Sequence, residues 1–328
     1  MLKNKKAQSV LQLLLSLALL SWLIWRVGLD EVVGTLTDMN WSWYLPAFLL
    51  FVLNVIIRAY RWYILLHALN DRPSFAHLAY LYFIGFFANN FIPSGFGGDV
   101  VKVVNLRQAY GRGAEALSSV MMERITGLMG SALIALAVLA WNGINHTTTL
   151  ELPLPLWLSI TIVSLAIPTG FAFVRWTDPL GFFEKRLPLI SRLPKYDKLR
   201  QLAETVRRYP LPILLQSLAI SLPFTISLIF IQFSIARALS VDLPLSVFSL
   251  FVPIIAIVNL LPFTFNGLGV REGAYQFLFV PIGVPSASAI AMSLAFYFLR
   301  FCAGLIGGLF YALRSLNHTL RAPHAENL

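Results

Sequence analysis

Residues 259–274 read Asn-Leu-Leu-Pro-Phe-Thr-Phe-Asn-Gly-Leu-Gly-Val-Arg-Glu-Gly-Ala, and they interrupt what would otherwise be one long apolar run. Leu245 to Leu261 is apolar before the interruption, and another apolar run resumes at Tyr275. A continuous membrane helix does not accommodate such a mixture. Pro262 removes a backbone N–H, Gly267, Gly269 and Gly273 weaken the helix, and Arg271 beside Glu272 is costly in hydrocarbon. The physical solution is a broken helix or re-entrant hairpin whose irregular backbone is buried in protein or faces a wet cavity.

The pattern occurs twice. Residues 90–102 read Asn-Phe-Ile-Pro-Ser-Gly-Phe-Gly-Gly-Asp-Val-Val-Lys and align with the first stretch without a gap. Asn90 matches Asn259, Pro93 matches Pro262, Phe96 matches Phe265, Gly98 matches Gly267, and Lys102 falls opposite Arg271. Paired Gly/Pro-interrupted segments in the two halves of a membrane chain point to a binding site at a repeat interface.

Composition agrees with a membrane setting. Of 328 residues, 58% are hydrophobic and only 12% charged, and the mean hydropathy is +0.73. The net charge of +10 is concentrated in a few loops, where the positive-inside rule accounts for it, and no nucleic-acid partner is expected. Cys302 is the single cysteine, so no intramolecular disulfide can form, and the five histidines lack HExxH-type spacing. No metal, cofactor or nucleotide-binding loop is expected.

Outward from the breaks, the run from Val10 to Trp25 follows Lys3, Lys5 and Lys6 and lacks a small-x-small cleavage site, which reads as a first membrane helix rather than a signal peptide. Further spans are expected over Trp43–Leu66, Ala116–Trp141, Leu156–Val174, Pro212–Ala236 and Ala287–Leu313. If each broken segment returns to the side it entered from, the N-terminus, the loops at 67–74 and 107–115, the basic segment 175–208 and the C-terminal tail 314–328 all fall inside. The loops at 26–42, 142–155 and 237–244 fall outside. Within 175–208, Lys185, Arg186, Arg192, Lys195, Lys198, Arg200, Arg207 and Arg208 are interspersed with apolar residues, the mark of a basic amphipathic helix on an anionic leaflet. All eight tryptophans lie near expected span ends, as interfacial belts require.

The expected fold is therefore all-α and polytopic, a single integral membrane domain over 1–328. Two inverted repeats, about 10–141 and 154–313, would bring the two broken or re-entrant segments together near the midplane. Helix N-termini there would offer N–H groups to an anion. Candidate headgroup-binding residues are Arg271, Glu272, Lys102, Asp99, Arg58, Arg61, Glu123, Arg124 and Arg300. Arg suits bidentate phosphate recognition and Lys acts as a point charge. Arg58 and Arg61 could equally snorkel to the interface, and Asp99 or Glu272 could simply neutralise Arg124 or Arg300. Asn90, Pro93, Gly97, Gly98, Asn259, Pro262, Gly267, Gly269 and Gly273 are read as the turns, with Asn89, Asn90, Asn259 and Asn266 bonding freed backbone groups.

Arg-x-x-Arg-Trp at 58–62, Asn-x-x-Pro-x-x-x-Gly-Gly-Asp at 90–99, Met-Glu-Arg-Ile-x-Gly at 122–127 and Gly-Leu-Gly-Val-Arg-Glu-Gly at 267–273 together resemble the lysylphosphatidylglycerol synthase transmembrane-region family, also termed UPF0104. The likeness runs from about residue 10 to 315 and extends to the flippase half of the bacterial multiple peptide resistance factor. Two positions depart from the pattern: Lys102 stands where Arg is expected after Gly-Gly-Asp, and Asn266 where Gly is frequent.

The resemblance implies a polytopic protein that translocates an anionic or modified phospholipid or a lipid-linked precursor, and the basic loops place it in the inner (cytoplasmic) membrane with both termini expected to be cytoplasmic. It does not imply the synthase activity in the family name. Aminoacyl transfer belongs to a separate soluble domain, for which little chain remains after Leu313. The alternative is a non-transporting partner that presents lipid to a membrane-bound glycosyltransferase or lipid synthase. A second copy of the chain is also a candidate partner. A membrane enzyme would have only Asp99, Glu123 and Glu272 as acids or bases and lacks an Asp-rich metal motif, so an enzyme is not expected.

Overall fold

The computed structural model describes residues 14, 17–69, 73–91, 97–111, 113–145, 154–186, 196–259 and 267–321. Pro93, Pro262, Asn266 and the start of the first apolar run lie outside the described residues. Among those described, regular structure is helical and no strand occurs.

Helices follow in the order α1 (Leu17–Val27), α2 (Leu29–Thr37), α3 (Trp41–His67), α4 (Phe75–Phe91), α5 (Gly97–Tyr110), α6 (Gly113–Asn145) and α7 (Leu154–Trp176). Then come α8 (Pro179–Arg186), α9 (Tyr196–Arg208), α10 (Leu211–Ala238), α11 (Leu245–Val258), α12 (Val270–Phe279) and α13 (Ser286–Arg321). Five of them, α3, α6, α7, α10 and α13, are long and apolar enough to cross a membrane, so this is a multi-pass membrane protein. The helices beside the two breaks are shorter. At 1.5 Å per residue, the 17 residues of α4 reach about 25 Å and the 10 of α12 about 15 Å, against a hydrocarbon core of about 30 Å.

Both breaks bring their flanking helices back into contact. At the first, the Gly98 N–H donates to Asn89 Oδ1 at 2.7 Å, and a Cβ on Gly98 would fall 2.5 Å from the Gly85 carbonyl oxygen. Only glycine allows that approach, so α5 starts against the last turns of α4. Gly97 and Gly98 are thus already in the first turn of α5. At the second break, Asn259 closes α11, and Gly267 and Gly269 adopt φ of 81° and 82°. There glycine supplies a left-handed backbone. Gly273 is no turn residue but part of α12.

Polar and small residues hold the long helices together, as expected where lipid removes the hydrophobic drive between them. Asn54 of α3 donates to Phe224 O at 2.9 Å and to Ser227 Oγ at 2.8 Å across to α10. On α10, Ser217, Ser221 and Thr225 recur every fourth residue and are wholly buried. Ser217 meets Thr126 at 3.0 Å and Thr225 meets Ser131 at 3.1 Å on α6. The helix α13 lies on α4 through Gly304, Gly307 and Gly308, where any added Cβ would strike α4 atoms within 2.1–2.5 Å. Leu23 and Val32 pack with Ala287 and Ile290, fastening α1 and α2 to α13.

Three expectations change. The stretch 26–42 contains a helix, α2, with Asp30 and Glu31 in its first turn, favourable for the helix dipole. The described residues of 175–208 include two helices, α8 and α9, and the apolar face of α9 is covered by protein: Val206 packs with Leu65, Met122, Tyr209 and Leu214. Trp62 is fully buried and donates to Ser119 Oγ at 2.9 Å, so it belongs to the core and not to an aromatic belt.

Candidate functional site

Two clusters of charge form around the breaks, and they differ in character. At the second break, Arg271 and Glu272 open α12 and neither has any solvent exposure. Glu272 Oε2 accepts the Gly269 N–H at 2.6 Å, the N3-to-N-cap half of a capping box. Its Oε1 accepts from Arg271 Nη2 and from Ser293 Oγ, each at 2.8 Å, while Arg271 Nε donates to Ser293 Oγ at 2.8 Å. The guanidinium lies over the Tyr297 ring, 5.0 Å from its centroid. This is a buried, neutral cluster that clamps α12 to α13, with Arg271 Nη1 left without a hydrogen-bond partner among the described residues.

The first cluster is open. Glu123 on α6 is 1% exposed, and its Oε1 accepts a short bond from Arg61 and pairs with Arg58 Nε at 3.5 Å. Arg61 also donates to Ser221 Oγ at 2.8 Å. Both arginines of α3 therefore turn inward, Arg61 at 1% exposure, and neither snorkels to an interface. They flank Phe224, whose centroid is 4.7 Å from Arg61 and 5.7 Å from Arg58. The next residue on α6, Arg124, points to α5 and donates through Nε to Asp99 Oδ2 at 2.7 Å. Asp99 Oδ1 meets Lys102 Nζ at 3.3 Å. Lys102 is buried with its ammonium 3.4 Å from the Tyr82 ring centroid.

These residues line two adjoining cavities. The larger, about 200 Å³, lies between α3, α4, α6, α10, α11 and α13 and has Arg58, Arg61, Glu123, Arg124 and Arg300 in its wall. The smaller, about 60 Å³, reaches Asp99, Lys102 and Gly98 at the first break. Arg58, Arg124 and Arg300 border both. Asn259, at the edge of the second break, also faces the larger cavity, and its Oδ1 has no hydrogen-bond partner among the described residues. Among the described residues, five cations thus face two carboxylates. Arg300 approaches no carboxylate among the described residues, and its contact is the Phe86 ring, 5.9 Å away.

The candidates fall into place unevenly. Arg58, Arg61, Asp99, Lys102, Glu123, Arg124 and Arg300 share the cavities, whereas Arg271 and Glu272 line neither. The Gly98 and Gly269 N–H groups are already taken by Asn89 and Glu272, so these two are not free for a ligand. Asn90 Nδ2 makes a long bond, 3.4 Å, to Phe301 O on α13. Sequence reasoning missed Ser221, Ser293 and Tyr82. The four-residue recurrence of Ser217, Ser221 and Thr225 marks a buried polar stripe on α10 and was available as a signal.

Comparison with known proteins places this geometry in a family. Residues 9–308 match the family described as lysylphosphatidylglycerol synthase TM region. A UPF0104 membrane protein of Methanothermobacter thermautotrophicus is 25% identical over 321 residues, covering 87% of this chain and 88% of that one. Another from Pyrococcus horikoshii is 25% identical over 165 residues, 49% of each chain. A third, from Methanocaldococcus jannaschii, is 30% identical over 98 residues, 30% of this chain and 29% of its own. The chain therefore spans about half or less of two of these relatives and most of the third. With its residues matched nearly from end to end, the chain belongs to the lysylphosphatidylglycerol synthase transmembrane-region family.

Proposed function

We propose that this protein is a lipid translocator that moves an anionic or modified phospholipid, or a lipid-linked precursor, between the leaflets of the cytoplasmic membrane. The observation that carries the reading is the excess of cations over carboxylates among the described residues lining a cavity between membrane-spanning helices. Intramembrane charge is expensive and is retained where it meets a substrate or a partner. A headgroup held by Arg58, Arg124 and Arg300 exchanges its water for guanidinium forks and aromatic faces. At about 200 Å³, the cavity is smaller than the roughly 300–1,000 Å³ typical of drug-sized ligand sites. It suits a headgroup, with the acyl chains left in the bilayer. The two broken segments act as inverted halves, with the basic helices α8 and α9 on the cytoplasmic side. Arg271 serves this reading indirectly, by locking α12 to the helix that carries Arg300. No catalytic step is assigned.

The test is leaflet-resolved quenching of acyl-labelled lipids in proteoliposomes. The wild type should equilibrate an anionic lipid between leaflets. Arg300→Ala should slow it by about tenfold, the equivalent of losing one contact worth 1.4 kcal/mol, without loss of folded protein. Arg271→Ala should instead lower stability. An unchanged leaflet distribution for every anionic lipid tried would sink translocation. Lipid binding at the cavity without movement would favour the alternative, a holder that presents lipid to a membrane-bound modifying enzyme.

A further inference from the structure

The positive charge of the cavities is unbalanced by a definite amount, and the imbalance constrains the headgroup. Each carboxylate is already shared: Glu123 between Arg58 and Arg61, Asp99 between Lys102 and Arg124. Arg300 adds a fifth cation paired with no carboxylate among the described residues. The two segments at the breaks that lie outside the described residues, 92–96 and 260–266, contain no Asp, Glu, Lys or Arg, so they carry no charge to set against the excess. Among the described residues, three positive charges remain uncompensated in a site walled in part by Phe86, Phe224 and Phe296.

We infer that the cavity takes a lipid headgroup that ends in a multiply charged phosphate, a phosphomonoester or pyrophosphate, in preference to a phosphodiester. The inference rests on the lipid-binding reading above and narrows its substrate. A phosphodiester brings one negative charge and two free oxygens. A terminal phosphate brings about 1.5 to 2 charges at neutral pH and three free oxygens. Three guanidiniums from three helices, Arg58 of α3, Arg124 of α6 and Arg300 of α13, border both cavities and match three oxygens better than two. Like charges gathered in a partly enclosed site with too few carboxylates repel one another, so the ligand that neutralises more of them gains more.

The experiment is calorimetric titration of the purified full chain in detergent with three probes: short-chain phosphatidate, short-chain phosphatidylglycerol and inorganic pyrophosphate. At pH 7.5 phosphatidate should bind at least about tenfold tighter than phosphatidylglycerol, a difference of 1.4 kcal/mol. The preference should shrink at pH 5, below the second phosphate pKa of about 6. Arg300→Lys should keep it and Arg300→Gln should reduce it, and the pH series on the wild type tests the same point without a variant. Competition by pyrophosphate supports recognition of the terminal phosphate itself. Equal affinity for the two lipids at pH 7.5 overturns the preference and leaves translocation standing. Binding of neither lipid removes both readings, and pyrophosphate binding alone assigns the site to a soluble anion and overturns the inference.

Discussion

Replacement of Gly307 by Ala tests whether α13 and α4 meet backbone to backbone. A Cβ at Gly307 would lie 2.1 Å from the Phe83 carbonyl oxygen and 2.3 Å from its carbonyl carbon. Ordinary contact begins at 3.4 Å, so the helices must separate by roughly 1.3 Å at that point. The obstructing atoms are backbone, which cannot rotate away as a side-chain end could. The cost should lie toward the top of the usual overpacking range of about 1–3 kcal/mol. The damage should reach the site, because α13 carries Ser293, Tyr297 and Arg300 and α4 carries Phe86. Gly273→Ala supplies the contrast: nothing lies within 4 Å of the added methyl, and a helix interior favours Ala over Gly by up to about 1 kcal/mol. Thermal unfolding of both variants in one detergent, followed by helix loss, reads the difference. Gly307→Ala should melt lower and bind headgroup more weakly, while Gly273→Ala should melt at or above the wild type. A Gly307→Ala protein as stable as the wild type would refute the close approach of these helices.

Glu123→Gln strands Arg61 and Arg58 without their shared carboxylate, and removing one partner of a buried pair costs about 3–5 kcal/mol. Adding Arg61→Met should recover part of the loss in the same unfolding assay, and a single variant with wild-type stability would contradict the pairing. Near α8, Asp178 accepts from Arg207 at 2.9 Å and from the Gly181 N–H at 3.1 Å, and the Arg207 bond, followed by the Gly181 bond, holds its carboxyl below the usual value. This tie is therefore complete above the unfolded carboxyl pKa of about 3.9 and is lost as pH falls through the lower folded value. Protection factors of α8 amides, corrected for the intrinsic pH dependence of exchange, should fall on acidification in the wild type and show no such step in Asp178→Asn, whereas identical profiles would dismiss the tie.

Much of the fold was legible because its signals are local. Apolar runs of bilayer length, glycine and proline inside two of them, and basic loops are properties of neighbouring residues, and the five long spans fall where hydropathy placed them. The locations of Gly267 and Gly269 were legible for the same reason, since positive φ favours glycine. Less legible was what each charge faces. Arg271 and Lys102 are equivalent by alignment, yet one is sealed in a neutral clamp and the other lies under Tyr82 at a cavity. Trp62 and Arg61 sit where a belt tryptophan and a snorkelling arginine would sit, and both are core residues because Ser119, Glu123 and Ser221 receive them.

The sequence by itself determined that the chain is helical, crosses a membrane several times and breaks two of its apolar segments beside charged residues, because those facts depend on hydropathy and backbone chemistry read along the chain. Only the tertiary structure decided which cations share which carboxylates. Glu123 meets Arg61 from 62 residues away and Asn54 meets Ser227 from 173 away, and pairings over such separations follow from how whole helices pack. The excess of positive charge is a property of that packing, since it depends on which side chains are enclosed together.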